Sequence, residues 1–186
     1  AKLVSPTIVQ YDSQRDFQPI TLIGDAPLVL AAKKDLPAAN LDELIKLLRD
    51  NPGKYSFASS GVGTSLQLAG EMINIEGNVK MVHVPYRVGA QIVTDLMGNH
   101  VDLAVLPVVM ALPAERQGNG RIFAITESLR SPLAPDLPSI AEQAELKNVN
   151  VTVWFGLFAP AKVPAAIAER IQQEVATVIR EPDTRS

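Results

Sequence analysis

The residues best suited to chemistry lie in one short run, Ser59-Ser60-Gly61-Val62-Gly63-Thr64-Ser65. A strand pattern enters a Gly-x-Gly turn and a helix pattern follows at once. Two glycines let the backbone turn so that successive amide N–H groups point one way. The helix behind them adds its unpaired N–H groups and the positive end of its dipole, and Ser59, Ser60, Thr64 and Ser65 add hydroxyls. Such a loop suits a carboxylate or a phosphate without needing a lysine. A tight turn capped by Thr64 or Ser65 has the same composition, so the loop alone leaves both readings open. Nucleotide chemistry fails on spacing. Leu66 stands where a dinucleotide fingerprint needs its third glycine, and no Gly-Lys-Ser/Thr follows.

A second run, His83-Val84-Pro85-Tyr86-Arg87, closes the next strand. In a parallel sheet that strand end shares an edge with the glycine loop, where ligands collect. Tyr86 is therefore a candidate for the same cavity, with packing at the sheet rim as the alternative, and Arg87 is expected to be solvated. His83 and His100 lack metal-ligand spacing and have no acidic pair nearby, so no metal is assigned. A serine hydrolase could be assembled on paper from Ser60, His83 and Asp102, but no Gly-x-Ser-x-Gly elbow supports it, and no catalytic residue is assigned. Asp102 is expected to help turn the chain after Gly98-Asn99-His100. Trp154, the lone tryptophan, is expected to serve core or hinge packing.

The elements that must position these residues alternate along the chain. Ala1–Phe17 reads as lead-in coil with a short helical turn near Pro6. Pro19–Ala32 reads as extended chain that bends once near Gly24 and Pro27. Leu41, Leu44, Ile45 and Leu48 at i, i+3, i+4 and i+7 predict a helix over Leu41–Asp50, with Asn40 as N-cap and Glu43 at N3. Asn51-Pro52-Gly53 stops it. Strands over Tyr55–Ala58, Lys80–Pro85, Val101–Leu106 and Arg121–Thr126 then alternate with helices over Ser65–Ile75, Gly89–Met97 and Val108–Gln117. The first of these helices, Ser65–Ile75, is expected to pack through Leu68, Met72 and Ile75. Ser128–Pro138 is a loop, and Ser139–Leu146 a short helix capped by Ser139 and Glu142. Val149–Ala159 is a second extended run. Pro164–Arg180 is the last helix, with Pro164 in its first turn and Ile167, Ile171, Val175 and Val178 as its stripe. Strands alternating with helices of this length argue for an α/β fold with a mainly parallel sheet flanked by helices.

Composition bounds the partners. The chain has 186 residues, enough for one domain with a real core, and 47% hydrophobic and 20% charged residues are ordinary for a globular protein. Net charge is −3 with both signs interspersed, so no basic stripe tracks a nucleic-acid backbone. No apolar run reaches the roughly 18 residues of a membrane helix. Cysteine is absent, which removes disulfides, thiolate nucleophiles and thiolate zinc sites. No cofactor is assigned.

The motifs together resemble a known family. Asn51-Pro52-Gly53-Lys54, the Ser59–Ser65 loop, Leu68-Ala69-Gly70-Glu71, His83–Arg87 and Asp95-Leu96-Met97-Gly98 with Val101-Asp102-Leu103 occur in order. Pro135–Glu142 and Trp154–Pro160 complete a pattern that resembles the tripartite tricarboxylate transporter substrate-binding family, the TctC-like or Bug receptors. The resemblance implies a periplasmic binding protein of type II, without enzymatic activity, whose two lobes close on a small carboxylate and which docks to membrane transporter subunits. It implies that Ser59–Ser65 is the anion loop of the second lobe. On that reading residues 1–22 are a first-lobe remnant and crossing, 23–152 the second lobe, and 153–186 the return crossing and a first-lobe helix. It also implies that the chain is truncated at both ends, without the family's Pro-Gly-Gly segment, and that Pro164–Ile179 exposes an apolar surface through which a homodimer could form. Val105–Val109 and Val88 depart from the family pattern, which usually places a polar contact in the first stretch and glycine at the second position. The alternatives are a serine-dependent hydrolase using Ser60 or Tyr86, and a protein-interaction or signalling module.

Overall fold

A computed structural model describes residues 10–181; the turn expected near Pro6 lies outside them. The elements run β1 (Phe17–Lys33), α1 (Leu41–Asp50), β2 (Ser56–Ser59), α2 (Ser65–Glu76), β3 (Val82–Pro85), α3 (Gly89–Met97), β4 (Leu103–Pro107), α4 (Val108–Arg116), β5 (Gly120–Ile125), β6 (Thr152–Pro160) and α5 (Ala165–Arg180). The sheet order is β3-β2-β4-β1-β5, and β6 also pairs with β1.

The sheet is mixed. β2 pairs in parallel with β3 and β4. β1 lies antiparallel between β4 and β5, with Val29 opposite Leu106 on one side and Ile125 on the other. The βαβ alternation accounts for the parallel part. β1 enters from outside that alternation, so nothing in its local sequence set its direction. Both faces of the sheet are covered, and the two-residue period of a strand divides the core between them. Leu28, Leu30 and Ala32 join Leu103 and Val105 in one cluster with α1 and α2. Val29 and Ala31 join Ala104 and Leu106 in the other, with α3 and α4. Strands buried on both faces need the near-continuous apolar runs seen in β1 and β4.

α1 forms where its periodicity places it, burying Leu44, Ile45 and Leu48. Asn40 Oδ1 accepts the Glu43 N–H at 2.9 Å, and Glu43 reaches back to the Ala39 N–H at 2.7 Å. α2 corrects the expected face. It buries Leu66, Ala69, Gly70 and Ile73, whereas Leu68 and Ile75 are 55% and 75% exposed. The reason is close approach. A Cβ on Gly70 would lie 2.1 Å from the Phe57 ring, so Ala69 and Gly70 let α2 sit directly on β2 between the buried Leu66 and Ile73, with Met72 partly buried beside them and Leu68 and Ile75 pointing away. The Ser139–Leu146 segment forms two short 3-10 turns, Ile140–Glu142 and Ala144–Leu146, with the Ser139–Glu142 capping box present. Pro164 is the N-cap of α5, one residue before the first turn.

Two compact units result. Ala26–Val153 is one; the described residues up to Asp25 and from Trp154 onward form the other. In the smaller unit, Gln18 Nε2 donates to the Val163 carbonyl at 2.9 Å and Ala161 N–H to the Asp16 carbonyl at 2.9 Å. The α5 stripe is exposed there, with Ile167, Ile171 and Val178 all accessible.

Candidate functional site

Strand register decides what meets the glycine loop. Ser59 ends β2 opposite Pro85 at the end of β3, and the Tyr86 N–H donates to the Ser59 carbonyl at 2.9 Å. The β2–α2 and β3–α3 connections therefore share one edge of the larger unit. A Cβ on Gly61 would lie 3.6 Å from the Tyr86 carbonyl oxygen, so the two connections touch. Gly61 and Gly63 have φ of +118° and +81°, in the region that side chains other than glycine rarely enter. The turn depends on both residues.

Thr64 caps α2. Its Oγ1 accepts the Gln67 N–H at 3.3 Å and donates to the Gly61 carbonyl at 2.8 Å. Gln67 reaches back so that its Oε1 accepts the Gly63 N–H at 2.6 Å. Ser59 Oγ accepts the Gly61 N–H at 3.2 Å. The amides of Gly61 and Gly63 are thus satisfied within the loop. Among the described residues, no acceptor meets the amides of Ser60, Val62, Thr64 or Ser65, and these are the donors that the loop presents. Ser65 opens α2, where the first amides have no intrahelical acceptor and the dipole is positive.

Beneath the loop lies a polar cluster. Ser59 is fully buried, and its Oγ is 2.7 Å from His83 Nε2. Gln67 Nε2 is 3.4 Å from His83 Nδ1. The His83 ring packs against Phe57 with centroids 4.9 Å apart. Burial lowers the His83 pKa below its ordinary value, and Glu71 on α2 opposes that shift, so the ring is neutral at pH 7.

The expected site residues divide accordingly. Ser60 through Ser65 form the loop surface, with Val62 69% exposed. Ser59 faces inward and supports it. Tyr86 lies at the loop wall, but its hydroxyl donates to Asp95 Oδ2 at 2.7 Å. Burial first, and then Asp95, push the phenol up to about 12. Arg87 is exposed. Ser60, His83 and Asp102 do not assemble. Asp102 Oδ2 accepts from the N–H of Ser56 at 2.8 Å, at the start of β2, while Ser60 follows its end. The role expected of Asp102 widens, since its Oδ1 also takes Lys33 Nζ at 2.6 Å, tying the end of β1 to the starts of β2 and β4. Trp154 is 57% exposed, its ring 6.1 Å from that of Phe158. The sequence reading missed Gln67. Thr64 and Gln67 carry the N-cap and N3 spacing of a capping box, and that signal was available.

Comparison with known proteins adds an independent line. A family model described as the tripartite tricarboxylate transporter family receptor matches residues 3–186. The UPF0065 protein in the tcbD-tcbE intergenic region of Pseudomonas sp. (strain P51) is 38% identical over 175 residues, covering 94% of this chain and 52% of that protein. R. palustris Rpa4515, solved with adipate, superposes with a TM-score of 0.85 at 28% identity, covering 96% of this chain and 59% of its own. MatC (Rpa3494) from Rhodopseudomonas palustris, solved with bound malate, gives 0.84 at 28% identity, covering 96% and 60%. The chain spans about half the length of the curated relatives it matches.

Proposed function

The chain belongs to the tripartite tricarboxylate transporter receptor family, and from that premise we propose that it is the ligand-binding part of a periplasmic solute receptor, holding a small mono- or dicarboxylate on the loop after β2. The observation that carries this reading is the division of labour among the loop amides. Gly61 and Gly63 spend theirs on Ser59 and Gln67, which freezes the turn. Ser60, Val62, Thr64 and Ser65 then present theirs at the start of α2, where a carboxylate gains from several donors and a dipole at once. Tyr86 contributes as a wall, through its backbone and ring. The adipate and malate held by two similar proteins are small carboxylates of the kind such a loop accommodates. The partner on the transport side is the membrane subunits of a tripartite tricarboxylate transporter. The proposed role is recognition without turnover: His83 bonds the buried Ser59, and among the described residues Ser60 on the loop surface has no histidine partner while the Tyr86 hydroxyl is held by Asp95.

Calorimetric titration of the full chain tests the proposal, with adipate, malate and benzoate as ligands and a neutral sugar and a cationic peptide as controls. Heat of binding is expected with at least one acid and with neither control. Binding of the sugar or the peptide, with none of any carboxylate, would overturn it.

A further inference from the structure

The polarity of the cluster beneath the loop can be deduced from a backbone group. The Gly63 N–H can only donate, so Gln67 must turn its oxygen toward it, at 2.6 Å. That places the Gln67 NH2 group against His83 Nδ1, at 3.4 Å. An amide NH2 group has no lone pair to offer, so Nδ1 must accept and the single proton of the neutral ring sits on Nε2. Nε2–H then donates to Ser59 Oγ, at 2.7 Å. Ser59 Oγ also accepts the Gly61 N–H, at 3.2 Å, and gives its own proton to the Gly61 carbonyl, at 3.3 Å. Every bond of the chain runs from a donor to an acceptor in one direction, and both left-handed glycines are held by it.

We propose that Gln67 and His83 are positioning residues of the loop, forming a one-way relay from Gly63 through Gln67 and His83 to Ser59 and Gly61 that runs only while His83 carries its proton on Nε2 alone. The proposal rests on the reading of this loop as the carboxylate site. Neither side chain need touch the ligand. Gln67 connects the cap of α2 to His83 within β3, and His83 passes the polarity on to Ser59 at the end of β2. The surroundings favour the neutral ring. Phe57 covers one face, and burial outweighs the opposing charge of Glu71, the ionisable side chain that reaches the imidazole. A second proton on Nδ1 would confront the Gln67 NH2 group, and relief by rotation of that amide would take the oxygen away from Gly63.

The test combines nitrogen-15 NMR of the His83 ring with binding measured on the full chain, using the acid that binds most tightly in the calorimetric screen. In the parent protein at pH 7, the ring is expected as the neutral tautomer protonated at Nε2. Gln67→Leu removes both the acceptor for Gly63 and the donor to Nδ1. Carboxylate affinity is then expected to fall about tenfold, the equivalent of one well-placed hydrogen bond, with the circular dichroism spectrum unchanged. Gln67→Glu keeps an acceptor for Gly63 but asks Nδ1 to donate. The His83 pKa is expected to rise above its parent value, a response that a merely space-filling residue would not produce. A parent ring protonated at Nδ1, or unchanged affinity in Gln67→Leu, would overturn the relay. If the parent protein binds no carboxylate, the receptor reading fails instead, and the ring tautomer and the Gln67→Glu titration still decide the relay. Should Gln67→Leu not fold, the tautomer in the parent protein and Gln67→Met supply the same decision.

Discussion

Gly70→Ala separates two physical effects that predict opposite signs. Gly70 lies inside α2, where alanine improves helix propensity by about 1 kcal/mol. Its added Cβ, however, would stand 2.1 Å from one atom of the Phe57 ring and 2.6 Å from two more, where ordinary contact begins near 3.4 Å. Phe57 is fully buried and backed by His83, so the ring cannot swing into solvent. Either α2 lifts from β2 or the ring shears against the imidazole. Overpacking of this kind costs about 1–3 kcal/mol, and an overlap this large belongs at the upper end. Subtracting the propensity gain leaves a net loss of about 2 kcal/mol. With a urea slope of roughly 2 kcal/mol per molar, the unfolding midpoint should fall by about 1 M. Far-UV circular dichroism is the suitable probe, since the lone tryptophan, Trp154, belongs to the other unit. Gly24→Ala is the control, because nothing lies within 4 Å of a Cβ there; its midpoint should hold or rise slightly. A Gly70→Ala variant as stable as the parent, or more so, would refute the packing argument and return the position to simple helix propensity.

Three further outcomes follow from the same geometry. Gly63→Val forces a β-branched side chain to φ +81°, which should cost about 2 kcal/mol and abolish carboxylate binding by calorimetry; retained affinity would remove the loop from the site. Burial by itself would raise the pKa of Asp102, but hydrogen bonds from Lys33 and Ser56 outweigh it and hold the carboxyl below its ordinary 3.8. Its contribution is therefore complete above pH 3.8 and is lost as the pH falls through the lower folded value. Asp102→Asn should cost about 1–3 kcal/mol at neutral pH and flatten that acid limb in pH-dependent urea unfolding. Tyr86→Phe removes the 2.7 Å bond to Asp95, costing about 1 kcal/mol of stability while changing carboxylate affinity by less than about twofold; a larger affinity loss in titration would place the hydroxyl on the ligand.

What could be read from the sequence is what hydrogen bonds and side-chain periods of a few residues decide. α1 occupies the residues its stripe and cap define, because Asn40 and Glu43 satisfy the helix start within four residues of one another. The order of strands and helices and the Gly-x-Gly turn before α2 are local in the same sense. So is the Ser139–Glu142 box, where Ser139 N–H reaches Glu142 Oε1 at 3.0 Å. Other features were decided only by long-range packing. Apolar residues on α2 offered two faces, and the face that packs is the one where Ala69 and Gly70 permit close contact with Phe57, flanked by Leu66 and Ile73, while Leu68 and Ile75 stay exposed. β1 reverses the sheet because it pairs with β4 and β5, elements some seventy and more residues away along the chain. The glycine loop was visible as composition from the start. Which of its amides are spent and which are offered was not, since that depends on Gln67 meeting His83 sixteen residues on and on Ser59 meeting the same ring across twenty-four. A short motif can specify that a turn exists, but the partners that hold it open come from strands whose adjacency only the buried sheet decides.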